Sequence, residues 1–174
     1  MVIRHVLLVG DPLLREKSEI VADFGPDLQP VLEDLRDTLT KTQETTGSGR
    51  GIAAPQLGYL KRVVRIQAQD FTSFLVNPEI VEKSDELFDV WDSCFSLKGA
   101  VFVNIKRHRR IRVDYQNEKG EKHSREFTDG MSELLQHELD HLDGVLCTDH
   151  LEDNKGIAMR EEWEKWYRTT GIGM

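Results

Sequence analysis

The 174-residue chain has only two cysteines, Cys94 and Cys147. That is too few for a disulfide framework and fits a reducing compartment. No stretch approaches the ~20 apolar residues of a membrane span. Positive charge is scarce: the net charge is −8, and the one basic run, residues 106–110, precedes a strand-like segment. It reads as a solvated edge, because a nucleic-acid face needs wider positive charge. The first ten residues are apolar but broken by Arg4 and His5, and lack the apolar length and cleavage site of a secretory signal. Repeats and low-complexity tracts are missing too. A cytoplasmic protein with neither nucleic acid nor membrane as partner is expected, an organelle form with a trimmed transit peptide being the alternative. With 39% hydrophobic and 31% charged residues, the chain suits one domain over residues 1–174.

The run 131–144 carries the chemistry. It contains His-Glu-x-x-His, with His137 and His141 four apart and therefore on one side of a helix. Two imidazoles so placed suit one divalent metal, and Glu138 between them suits a general base on the metal's water. At about 100° per residue, Met131, Leu134, Leu135 and Leu142 form one apolar stripe with Glu138 in its middle. A structural glutamate would normally face water, so its position marks it out. Asp140 is expected to point to solvent, and Gly144 to stop the helix.

Before this run, residues 27–42 predict a helix with Leu28, Val31, Leu32, Leu35 and Leu39 inward and Glu33, Asp34, Arg36 and Asp37 outward. The glycine-rich stretch 45–58 lacks the lysine of a phosphate loop and predicts a tight turn beside a site, with Gln56 offering its amide. Strands are predicted over 62–67, 74–81, 102–105, 111–115 and 122–127, with Pro78 at an edge or bulge and a hairpin turn at 117–120. Val145 to Cys147 reads as a short extended piece. The tail 154–167 predicts a last helix that docks through Ile157, Trp163 and Trp166.

A catalytic metal usually takes a third protein ligand. Spacing alone leaves this open between Cys94 and the pair Glu161 and Glu162, about twenty residues beyond His141 in the manner of a zinc peptidase. Cys147, His123 and His150 are weaker candidates.

Three segments together resemble the peptide deformylase family: Gly49-Arg-Gly-Ile-Ala-Ala-Pro-Gln56, Asp92-Ser-Cys-Phe-Ser96 and Gln136-His-Glu-Leu-Asp-His141. Their order and spacing match, as do Val76-Asn-Pro-Glu79 and Asp143-Gly-Val-Leu146. The resemblance implies an α+β fold, antiparallel strands around the metal-binding helix with an N-terminal and a C-terminal helix outside. It implies that Cys94, His137 and His141 hold one metal, natively Fe2+, with Zn2+, Ni2+ or Co2+ as purified forms. It further implies that Glu138 shuttles a proton, that Gln56 and the backbone of Phe95 bind the oxyanion, and that Gly49, Gly51, Ile52, Ser93 and Phe95 meet the substrate. The implied substrate is an N-formylmethionyl peptide or nascent chain, with the ribosome as a further implied partner, and formate is released.

The second segment departs from the family's Glu-Gly-Cys-Leu-Ser. Asp92 is shorter than Glu, so a bond from it to a ligand is expected to be lost or bridged by water. Ser93 adds a side chain and is expected to shift the strand, and Phe95 enlarges the wall of the first side-chain pocket. An arginine usual soon after the segment is missing from Ala100-Val-Phe-Val-Asn104, in a loop one residue longer. A zinc peptidase, a deformylase for another N-formyl compound and a non-catalytic metal-binding relative are the rival readings.

Overall fold

The computed structural model describes residues 3–168. Helix α1 spans Gln29–Thr46, entered through a 3-10 turn at Pro26–Leu28. Pro30 near its start supplies a preset φ, and Gly47 closes it in the left-handed conformation (φ 67°). The predicted apolar face is the buried one, with one correction. Asp34 is buried rather than outward, because its carboxylate accepts hydrogen bonds from Arg4 Nε and Tyr59 Oη, each at 2.6 Å.

The strands form two antiparallel sheets. β1 (Gly51–Ala53), β2 (Val63–Gln67), β3 (Thr72–Lys83), β6 (Arg110–Gln116) and β7 (Lys122–Thr128) make a five-stranded sheet in the order β1-β2-β3-β6-β7. β4 (Leu87–Asp92), β5 (Val101–His108) and β8 (Ile157–Met159) make a three-stranded sheet in the order β4-β5-β8. The expected bulge at Pro78 is the register shift between Val76 and Glu79. Asn77 there has φ 51°, and its side chain bonds both the N–H and the carbonyl of Val21.

Helix α2 spans Asp129–Leu142, capped by Asp143 before Gly144. Leu134, Leu135, Leu139 and Leu142 pack on Val64, Ile66, Leu75, Ile111 and Val113 of the larger sheet, so the helix is seated by its apolar stripe. The smaller sheet packs around Val90, Val103 and Ile105 with both cysteines. The expected α+β architecture is the one observed.

The tail departs from prediction. Its first part is a 3-10 turn and strand β8, and only Arg160–Trp166 is helical (α3). Trp163 docks, stacked on Phe102, whereas Ile157 and Trp166 are exposed. Pairing of β8 with β5 outweighs the helical spacing there. Leu146 is extended, and Cys147 begins a 3-10 turn.

Two charged residues are also placed differently from expectation. Asp140 does not point freely to solvent: its carboxylate receives Arg107 Nη1 at 2.6 Å and lies 2.8 Å from His150 Nε2. Arg107, read as part of a solvated run, is buried between Asp140 and Asp92. It alternates in β5 with buried Val103 and Ile105, so the strand's two-residue period carried the signal.

Candidate metal centre

The site forms where α2 meets the ends of β4 and β1. The helical spacing sets His137 and His141 side by side, with their Nε2 atoms 3.2 Å apart. β4 delivers Cys94 just past its end, and Cys94 Sγ lies 3.2 Å from His141 Nε2. All three donors are buried and lie within 4.8 Å of one another. That separation matches what bonds of about 2.0–2.3 Å to one cation leave between its ligands, and thiolate with imidazole is a donor set for a transition metal. The residues fit a bound metal.

Electrostatics agree with the geometry. Burial by itself would push the Cys94 thiol up, but His141 and His137 outweigh it and hold it well below the usual thiol range. A thiolate is the form that binds metal. Burial would lower His137, yet Asp92 and then Cys94 hold it well above an ordinary imidazole; a cation in the site takes over the role of that proton.

The Asp92 carboxylate bonds His137 Nδ1 directly (Oδ1 at 2.8 Å), and Arg107 Nη2 donates to it at 3.1 Å. The expected loss of this bond is therefore overturned, since β4 brings Asp92 close enough for the shorter side chain. Ser93 Oγ donates to Val101 O at 2.9 Å, so the added hydroxyl is tied across the loop.

Glu138 is buried beside the donors, with Oε2 lacking any hydrogen-bond partner. Burial pushes its carboxyl up to about 7, a value suited to taking and returning protons near neutrality. Gly51 makes room for it: a Cβ there would lie 2.7 Å from Glu138 Oε1. Gln56 is held by Ala53 N–H on its Oε1 (2.9 Å) and directs Nε2 to Cys94 Sγ and Ser96 Oγ, each at 3.3 Å.

Gln56, Asp92, Cys94, His137 and Glu138 line an open cavity of about 860 Å³, along with Gly49, Gly51, Ser93 and Phe95. The Phe95 ring packs on Gly49, where a Cβ would stand 2.3 Å from Cζ. Ile52 is different: its side chain is fully buried in the core under α1 and does not line the cavity. The other candidate ligands lie elsewhere. Glu161 and Glu162 are exposed on α3, with Glu162 paired to Lys165. His123 stacks on Tyr115 and His150 meets Asp140. Cys147 sits behind His137 with Asp92, its thiol pushed up to about 12 by burial. Sequence reasoning missed Arg107, Lys98 and Arg160, the last two also lining the cavity.

A model of the polypeptide deformylase family matches residues 3–156. The chain belongs to the polypeptide deformylase family. A peptide deformylase of Heliobacterium modesticaldum is 38% identical over 154 residues, covering 88% of this chain and 97% of that one. One from Acetivibrio thermocellus is 39% identical over 149 residues, covering 86% and 84%. The crystal structure of peptide deformylase from Thermotoga maritima superposes with a TM-score of 0.80 at 32% identity, covering 88% of this chain and all of that one. The chain is thus a hydrolase that removes formyl groups, in a metal-dependent family acting on N-formylmethionyl peptides. Among the described residues no helix is long and apolar enough to cross a membrane.

Proposed function

We propose that Cys94, His137 and His141 hold one divalent cation, natively ferrous iron, and that Glu138 carries the proton in deformylation of N-formylmethionyl nascent chains. The observation that carries this is the convergence of three buried donors beside an unpartnered buried carboxylate. Donor chemistry alone would favour zinc, so iron rests on the family resemblance. Zinc, nickel or cobalt are the alternative forms expected in purified protein.

When bound, the cation acidifies water and polarises the formyl oxygen. Glu138 accepts a proton from the attacking water and returns it to the departing amine nitrogen. The C–O bond forms first, giving a tetrahedral oxyanion, and the formyl C–N bond breaks as that oxyanion collapses, leaving formate and a free α-amine. Gln56 Nε2 and the Phe95 backbone N–H stabilise the oxyanion, a contribution of about 3–4 kcal/mol for such a donor. Gly49, Gly51, Ser93 and Phe95 shape the substrate's place. Ile52 contributes through its backbone in edge strand β1, which suits pairing with an extended chain.

Residues 1–174 act as one unit in this reading, in the cytoplasm and close to the ribosome that supplies the substrate. The free thiols of Cys94 and Cys147 support a reducing location. The test is formate release from N-formyl-Met-Ala-Ser by protein purified without oxygen, beside Glu138→Ala. Release that the substitution abolishes is expected. No release from folded, metal-loaded protein would reject the reading.

A further inference from the structure

One wall of the cavity is built by a residue with no part in the chemistry above. Arg160 opens α3, and its backbone N–H donates to Ala100 O at 2.8 Å. Its Nε donates to Gly99 O at 2.6 Å, and its guanidinium lies 5.1 Å from the centre of the Phe102 ring. Phe102 is itself stacked on buried Trp163 at 4.0 Å. The tail therefore fixes a guanidinium in the cavity wall. Among the described residues its one ion pair is a 3.5 Å contact from Nη1 to half-exposed Glu164.

Lys98 lines the same cavity, on the loop that Arg160 grips. It is exposed, and among the described residues it forms no ion pair. The remaining charged residues of the lining are committed elsewhere. Arg50 pairs with Glu133 at 2.7 Å, Asp92 is held by Arg107 and His137, and Glu138 is buried beside the metal ligands. A chain of net charge −8 thus presents two weakly matched cations on its substrate cavity. Such a local surplus attracts anions and sets which partners are accepted. A guanidinium N–H also makes a charge-assisted hydrogen bond to a carboxylate oxygen.

We propose that Arg160 and Lys98 form a carboxylate-recognising subsite for the part of the substrate beyond its formyl-methionine. The subsite selects formylated chains that carry a carboxylate there, from an acidic side chain or a nearby chain terminus. This deepens the deformylase reading and rests on it.

The test compares kcat/KM for formate release from C-terminally amidated N-formyl-Met-Ala-Asp, -Asn and -Lys. N-formyl-Met-Ala-Ala is added as free acid and as amide. At low salt the Asp peptide is expected to exceed the Lys peptide about tenfold, each cation contributing about threefold, with the difference carried by KM and shrinking at high salt. Arg160→Gln and Lys98→Gln should each lower the Asp-to-Lys ratio, the pair together should flatten it, and Arg160→Lys should retain part of it. Because Arg160 also ties α3 to the body, Lys98→Gln, on an exposed side chain, carries the test if Arg160→Gln fails to fold. A gain confined to the Asp peptide assigns the subsite to side chains, and a loss on amidating the Ala peptide assigns it to a terminus. Equal turnover of the Asp and Lys peptides together with equal turnover of the Ala peptide as acid and amide, or a preference that survives both substitutions, would overturn the subsite. No formate from any peptide would overturn the deformylase reading and the subsite with it.

Discussion

Asp92 Oδ1 lies 2.8 Å from His137 Nδ1, and this contact decides which nitrogen of the imidazole faces the metal ligands. Burial opposes the Asp92 charge, but His137 and Arg107 hold the carboxyl well below its usual range. A carboxylate only accepts, so His137 Nδ1 carries the proton and Nε2 offers a lone pair to the cation. Asp92→Ala is expected to weaken metal affinity about 10- to 100-fold, and Asp92→Glu far less. Competition with a chelator of known affinity reads this directly; unchanged affinity in Asp92→Ala would reject the orienting role.

Arg107 is buried between Asp92 and Asp140. Arg107→Ala leaves Asp92 as a buried charge with His137 as its remaining partner, so a loss of about 3–5 kcal/mol is expected. Denaturant unfolding of the metal-loaded protein measures it. A loss below about 1 kcal/mol would mean that water reaches Asp92 and screens it.

Gly51→Ala places a methyl 2.7 Å from Glu138 Oε1. The helix is pinned by its leucines, so the carboxylate must turn. A displacement of this kind is expected to lower kcat about 100-fold while the fold and metal content persist. Circular dichroism and metal analysis beside the kinetics separate this from unfolding; wild-type kcat would show that Glu138 has slack.

Cys94→Ser tests the third donor against the zinc-peptidase alternative. Weaker metal retention is expected, because a neutral hydroxyl replaces a thiolate held well below its usual pKa. Full metal content with activity on ordinary peptides would point to a different ligand.

Asp34 supplies a pH dependence away from the site. Burial works against its charge, yet Tyr59 and Arg4 bonds leave its pKa below the ordinary 3.8. The unfolded chain therefore takes up this proton first as pH falls. The stabilisation is complete above about pH 4 and is lost as pH drops through the lowered value. Asp34→Asn should lower stability at neutral pH by about 1–3 kcal/mol and flatten this acid limb. Melting curves between pH 2 and 7 check both, and an unchanged acid limb would rule Asp34 out as its source.

Much of this protein is determined by short-range pattern. A four-residue spacing sets His137 and His141 on one face of α2, and the apolar stripe around Glu138 dictates that this face turns inward. Both follow from helix geometry, which the chain carries locally. The alternation of Val103, Ile105 and Arg107 was equally legible, although the charge of the 106–110 run masked it.

Other features depend on segments far apart in the chain, and no local period encodes them. Asp92 reaches His137 because β4 ends beside α2, which reverses the expectation drawn from side-chain length alone. The residues 157–159 take strand form because β5 offers an open edge, and that pairing carries Arg160 to the cavity wall. Spacing left the third ligand open between Cys94 and the exposed glutamates of α3. Tertiary structure separates them: Cys94 comes from a sheet packed against the metal helix, while α3 begins on the outer wall, too far out in the fold for Glu161 and Glu162 to be buried with the histidines.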